Sequence, residues 1–165
     1  MNIKRILRHF AMTQWQVKHA FPTITLSAIE QAIKGSESVH LGEVRFVVEG
    51  ALDGAPLLRG QSARERAIDL FSQLRIWDTE HNSGVLIYLL LADRQVELVA
   101  DRGIHAKVGS RQWLAICSDM EAAFKMANYK DGVVSGIHAV TGQLKKHFPA
   151  EAGNHNELAD TPVVL

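Results

Sequence analysis

The sequence predicts a single α/β domain of three layers, in which helices cover both faces of a small mixed β-sheet. Three observations lead to this fold class. Strand 85–91 is apolar at consecutive positions, which indicates burial on both of its faces. A helix at 62–77 separates it from strand 43–48, and such a crossover makes two strands parallel. Strand 95–100 follows after too few residues for a crossover, so it must pair antiparallel with strand 85–91.

The N-terminal residues 1–21 predict an extra, basic amphipathic helix. Ile3, Ile6, Leu7 and Phe10 recur at helical spacing, with basic residues between them. We expect this helix to pack on its own domain, as short mixed helices commonly do in soluble folds. Peripheral contact with a membrane surface is the alternative.

The remaining elements follow in chain order from capping residues and apolar spacing. A helix at 24–34 has a capping-box pattern at Ser27, and a clearer one at Ser62 begins the helix at 62–77. Residues 50–60 predict a loop, and an apolar stripe marks a helix at 111–127. The last helix begins near Asp131 and ends before Pro149. The chain thus divides into the N-terminal helix at 1–21, an α/β domain at 22–149 and a flexible tail at 150–165.

The length and overall composition limit the classes of protein to which this chain can belong. The 165 residues are enough for one domain that needs neither disulfides nor metal to fold. The 18 basic and 18 acidic residues balance, which argues against nucleic acid as a partner. Cys117 is the single cysteine, consistent with a reducing compartment. No apolar run approaches the ~20 residues that a bilayer requires, and residues 1–21 lack a signal-peptide core. We therefore expect a cytoplasmic protein.

One end of the predicted hairpin gathers most of the reactive side chains. A turn centred on Asp93 and Arg94 would place Leu86 opposite Asp101. It would also bring the acidic loop, residues 77–83, next to the segment 101–105. Carboxylates with amide and backbone oxygens are what Ca²⁺ or Mg²⁺ prefers. The candidate metal ligands are Asp78, Glu80, Asn82 and Asp101.

The same segments supply candidate catalytic groups. Arg102 could hold a phosphate oxygen, and a histidine could transfer protons near neutral pH. The candidate catalytic residues are Asp101, Arg102, His105 and His81. Turn formation and surface ion pairs would explain the same residues without any activity. Open α/β sheets usually bind ligands beyond the carboxyl ends of parallel strands, which makes the loop at 49–60, with Asp53 and Arg59, the second candidate.

Several short signatures between residues 42 and 148 occur in an ordered set. They are Asn82-Ser83-Gly84-Val85-Leu86-Ile87, Ala92-Asp93-Arg94, Gly103-Ile104 and Asn128-Tyr129-Lys130-Asp131-Gly132. In this order they resemble the TPM domain family, in a cytoplasmic bacterial form. The resemblance implies a central sheet covered by helices and, for some members, a calcium site and weak acid-phosphatase activity.

Two functions remain in competition. The first is a non-enzymatic interaction or accessory module, with a protein partner and a site able to take a divalent cation. The lack of a strong catalytic motif and the amphipathic N-terminal segment favour it. The second is a metal-dependent, acid-phosphatase-type phosphoester hydrolase that would use Asp78, Glu80, Asp101 and Arg102.

Overall fold

A four-stranded mixed sheet forms the centre of the protein, in a computed structural model that describes residues 3–151 and 155–165. The strands are β1 (Glu43–Glu49), β2 (Gly84–Leu90), β3 (Gln95–Ala100) and β4 (Val163–Val164), in the spatial order β3-β2-β1-β4. β1 pairs in parallel with β2, and β2 pairs antiparallel with β3, as the sequence predicts. β4, which the sequence analysis does not predict, adds a second parallel neighbour to β1.

Helices lie on both faces of the sheet, which confirms the three-layer α/β fold. One core joins α3, α7 and α8 to one face of β1 and β2, and a second core joins α4 and α5 to the other face. The helices of the described residues are α1 (Ile3–Ala11), α2 (Gln14–Ala20), α3 (Thr23–Glu37), α4 (Gly54–Leu58), α5 (Ala63–Gln73), α6 (Arg102–Val108), α7 (Ser110–Lys125) and α8 (Tyr129–His147).

Strand β2 is central and buried along its whole length, as its continuous apolar run predicts. Its side chains alternate between the two cores because successive residues of a strand point to opposite faces. Val85, Ile87 and Leu89 enter one core, and Leu86, Tyr88 and Leu90 enter the other. Two apolar faces therefore need cover, and helices on both sides supply it.

The hairpin register is shifted by two residues from the one predicted. Leu86 pairs with Val99 instead of Asp101, and Leu90 pairs with Gln95. Residues 91–94 form the turn, in which the Arg94 N–H donates to Leu91 O at 3.0 Å, so the chain reverses one residue earlier than predicted. Arg94 closes the turn with a positive φ of 55°. The two ends of the hairpin are nevertheless those predicted.

Two predicted helices and one predicted loop need correction. The single helix at 1–21 is two helices, because the Thr13 hydroxyl accepts the Gln16 N–H and starts α2; residues 1 and 2 lie outside the described residues. α3 begins after Pro22, so Ser27 lies inside the helix instead of capping it. The predicted loop at 50–60 contains α4. α6 is a further helix that the sequence analysis does not predict.

The C-terminal segment contacts the sheet, whereas the sequence predicts a flexible tail at 150–165. Leu165 N–H donates to Val48 O at 2.9 Å and extends the pairing of β4 with β1. The Glu43 carboxylate accepts the N–H groups of Glu157 and Leu158 at 3.1 and 3.2 Å. These contacts attach residues 157–165 to β1; residues 152–154 lie outside the described part of the chain.

Candidate functional site

The acidic loop and the start of α6 lie in direct contact, as the hairpin predicts. Asp101 N–H donates to Gly84 O at 2.8 Å, and Ile104 N–H donates to Asn82 O at 3.2 Å. The backbones approach so closely at Gly103 that a Cβ there would lie 2.5 Å from Asn82 O. Glycine is therefore needed at this position, where the two segments meet.

Asp101 is the only candidate ligand in this contact that is buried. Its Oδ1 accepts the N–H of Arg102 at 2.7 Å and caps α6. Its Oδ2 is buried without a hydrogen-bond partner among the described residues. A buried carboxylate oxygen without a partner is costly, so this atom is the one place in the predicted site where a ligand would be stabilising.

The other predicted metal ligands do not converge on that oxygen. Asp78 and Glu80 are exposed, and Asn82 occupies a tight turn with a φ of 50°. The described residues contain no group of three or more His, Cys, Asp or Glu side chains that could hold a metal ion. Calcium takes six to eight oxygen ligands, so the candidate set does not fit a preformed calcium or magnesium centre.

The candidate catalytic residues lie near one another in the chain fold, but among the described residues their side chains make no hydrogen bond or ion pair with one another. Arg102 is exposed, and His81 Nε2 lies 4.0 Å from Glu80 Oε2 at the surface. His105 instead lines a cavity of about 330 Å³ with Trp113 and Cys117, which none of the other predicted site residues lines. Burial raises the pKa of the Cys117 thiol to about 12. Cys117 is therefore a protonated core thiol at neutral pH and a poor nucleophile.

The second candidate region, beyond the carboxyl end of β1, holds a buried ion pair. Arg66 Nε and Nη2 donate to the two carboxylate oxygens of Glu49 at 2.9 and 3.0 Å. The Tyr88 hydroxyl donates to Glu49 Oε2 at 2.7 Å, and burial raises its pKa. Because the polar groups of Glu49, Arg66 and Tyr88 are hydrogen-bonded to one another, we interpret this cluster as structural. The sequence analysis included Glu49 at the start of this loop and named Asp53 and Arg59 in it, but it missed Arg66 of α5 and Tyr88 of β2.

A cluster of basic side chains fixes α1 to the turn between β2 and β3. Asp93, whose side chain is 5% exposed, accepts hydrogen bonds from Arg5 Nε at 2.8 Å and Arg8 Nη2 at 3.3 Å. His9 Nδ1 accepts the Leu52 N–H at 2.9 Å, and its buried Nε2 lies 3.1 Å from Asp93 Oδ1 without a hydrogen bond among the described residues. α1 therefore binds the domain through polar contacts.

The opposite side of α1 exposes large apolar side chains. Ile3, Leu7 and Phe10 lie at helical spacing and are 66%, 63% and 75% exposed. Trp15 of α2 is 70% exposed and stacks on His19. We call Ile3, Leu7 and Phe10, which share one side of α1, the N-terminal apolar face. Of the four residues in the predicted apolar stripe, Ile6 packs against the domain and the other three are exposed to solvent.

The fold and these contacts define a small α/β domain with a mixed sheet between two helical layers. The TPM domain model matches residues 18–143, and the chain belongs to that family. The match begins within α2, so α1 lies outside it. None of the curated proteins compared with this sequence is similar to it.

Two solved structures share the fold. The BA42 protein of the psychrophilic bacterium Bizionia argentinensis is 29% identical, with a TM-score of 0.74 over 86% of this chain and 92% of that chain. The N-terminal domain of a P. gingivalis protein is 21% identical, with a TM-score of 0.54 over 76% of each chain. The second likeness concerns the fold alone.

Proposed function

We propose that this TPM domain is a non-enzymatic interaction module that docks on its partner through the N-terminal apolar face. The observation that carries the proposal is the orientation of α1. Arg5 and His9 face the domain, whereas Ile3, Leu7 and Phe10 face solvent. A helix that only stabilises its own domain buries its apolar side. Exposed apolar patches rimmed by polar residues are typical of interaction sites.

The ion pairs with Asp93 hold α1 in this orientation. Turning the apolar face inward would withdraw Arg5 and Arg8 from a carboxylate whose side chain is almost fully buried. Breaking a buried ion pair by removing one partner costs about 3–5 kcal/mol. The contacts of Arg5 and Arg8 with Asp93 therefore favour the orientation in which the apolar face is exposed to a partner.

Site-specific photo-crosslinking in living cells tests this proposal. A photoreactive amino acid replaces Leu7 in one variant and Leu114 of α7 in the control. The two leucines are 63% and 66% exposed, so their accessibility is matched. We expect adducts, to lipid or to protein, at position 7 and not at position 114. Equal yields at the two positions would contradict a docking role for α1.

Phosphoester hydrolysis is the competing function, and the partnerless Asp101 Oδ2 next to Arg102 is the observation in its favour. The same oxygen is where a divalent cation would bind if the module takes one. Asp101→Asn tests both hydrolysis and cation binding, because asparagine removes the carboxylate but can still cap a helix. Calcium-stimulated hydrolysis of p-nitrophenyl phosphate that the variant loses would contradict the non-enzymatic proposal.

Calorimetric titration with calcium separates cation binding from catalysis. Binding that weakens in Asp101→Asn, without any hydrolysis, would assign the cation to this site within a non-enzymatic module. Saturable binding that the substitution leaves unchanged would place the ion elsewhere. Asp119→Asn is a matched control because it makes the same chemical change at an exposed carboxylate on α7, away from this site.

A further inference from the structure

We infer that the N-terminal apolar face docks on an anionic lipid surface; the inference rests on the docking role proposed above and names its partner. Three features of the described residues support it. They are the charge of the N-terminal segment, the protruding shape of the apolar residues and the neutralisation of the buried carboxylates near α1.

The charge of the N-terminal segment is one-sided. The first 29 residues contain four Lys or Arg and no Asp or Glu, although the whole chain has equal numbers of acidic and basic residues. Lys4 on α1 and Lys18 on α2 are exposed, and the Arg8 side chain is 55% exposed. Each basic residue near an anionic membrane surface adds to the attraction. The segment therefore complements a negative surface.

The apolar residues protrude from the helices that carry them. Ile3, Leu7 and Phe10 are each about two-thirds or more exposed on α1, and Trp15 is similarly exposed on α2. Helices with Phe, Leu and Trp on one side and Lys or Arg around them lie in the membrane interface, with the apolar side buried about 5–10 Å. Protruding side chains suit a fluid surface, which needs no complementary groove.

The two buried acidic groups near α1, Glu49 and Asp93, do not oppose this contact. Glu49 lines a cavity with His9 and Phe10 and is paired with Arg66. The Asp93 side chain is almost fully buried and is paired with Arg5 and Arg8, so it presents little negative charge to an anionic surface. None of the helices in the described part of the chain has the length and apolar character needed to span a bilayer. The inferred contact is therefore with the surface of the membrane.

Co-sedimentation of the full chain with vesicles tests the inference. The vesicles contain phosphatidylcholine alone or an equal mixture with phosphatidylglycerol, at about 0.15 M salt, where surface charges are partly screened. We expect binding to the mixed vesicles only. Leu7→Ser should weaken it at least about tenfold, since a fully buried leucine contributes about that much or more to transfer from water. Leu114→Ser should leave binding unchanged.

A charge-reversal pair tests the electrostatic part. Lys4→Glu should lower binding to the anionic vesicles, whereas Lys130→Glu, an exposed lysine on α8, should not. Circular dichroism should show that all four variants remain folded, because every substituted side chain is exposed. Equal effects of Lys4→Glu and Lys130→Glu would overturn the role of the N-terminal charge.

The remaining outcomes separate this inference from the docking role itself. No vesicle binding, together with protein adducts from the crosslinker at position 7, would overturn the lipid partner and leave the docking role standing. A concentration-dependent dimer in sedimentation velocity that Leu7→Ser abolishes would make a second copy the occupant, and would overturn the lipid partner as well. Failure of both the vesicle and the crosslinking experiments would overturn the docking role.

Discussion

Replacing Asp93 with Asn should release α1 from the domain, because this carboxylate is the common partner of the basic residues that attach the helix. Arg5 and His9 are largely or fully buried against it, at 2.8 and 3.1 Å. Removing one partner of a buried ion pair costs about 3–5 kcal/mol. We expect the lower limit, about 3 kcal/mol, since Arg5 keeps its hydrogen bond to Gln61 O and Arg8 is half exposed.

Hydrogen exchange of individual backbone amides measures this loss of stability within α1 itself. A cost of about 3 kcal/mol corresponds to about 100-fold faster exchange in α1, whereas α8, which packs in the opposite core, should change little. Asp119→Asn on the exposed side of α7 is the control for the same chemical change. Unchanged protection of α1, or a loss below about 0.5 kcal/mol, would refute the reasoning that Asp93 fixes the orientation of α1.

Three further predictions concern the body of the domain. Ile87→Ala should cost about 2–5 kcal/mol in urea unfolding, because it leaves a cavity in the central strand; a loss below about 0.5 kcal/mol would contradict its burial. Burial, with the carboxylates of Glu43 and Asp160, raises the pKa of Glu37 to about 9. The folded state therefore keeps a proton that the unfolded chain releases near pH 4.5, so stability should fall as pH rises from there towards 9. Glu37→Gln should reduce the fall of the melting temperature with rising pH. An unchanged fall would contradict the burial of Glu37 beside Glu43 and Asp160. Gly103→Ala should destabilise by about 2 kcal/mol, since its Cβ would meet two carbonyl oxygens of the acidic loop at 2.5 and 2.9 Å; wild-type stability would contradict this close approach.

The central elements of the fold could be predicted because their signals are local. The continuous apolar run of β2 and the capping box at Ser62 are each contained in a few residues, and the structure confirms both. β4 could not be predicted because its two residues form a strand only by pairing with β1, which lies more than 110 residues earlier in the chain. α6 was missed because it follows β3 directly and contains a glycine, which lowers helix propensity.

The candidate site was predictable in position but not in detail. Chain reversal alone brings Asn82 and Gly103 together, whatever the register. The exposure of Asp78 and Glu80, and the burial of Asp101 as a helix cap, depend on tertiary packing that spacing does not encode. Helical spacing likewise identified the apolar residues of α1. It could not show which side of α1 faces the domain, because Asp93 lies in a distant turn.

The depth of a spin label on α1 is the most direct test of the central claim that the N-terminal apolar face docks on an anionic surface. Leu7→Cys can be labelled selectively, because the native thiol of Cys117 is buried and its pKa is raised to about 12. With anionic vesicles, power saturation should show that the nitroxide at position 7 gains contact with oxygen and loses contact with a water-soluble nickel complex. A nitroxide at position 114 should remain in water. Identical accessibilities at positions 7 and 114, with and without vesicles, would contradict the claim.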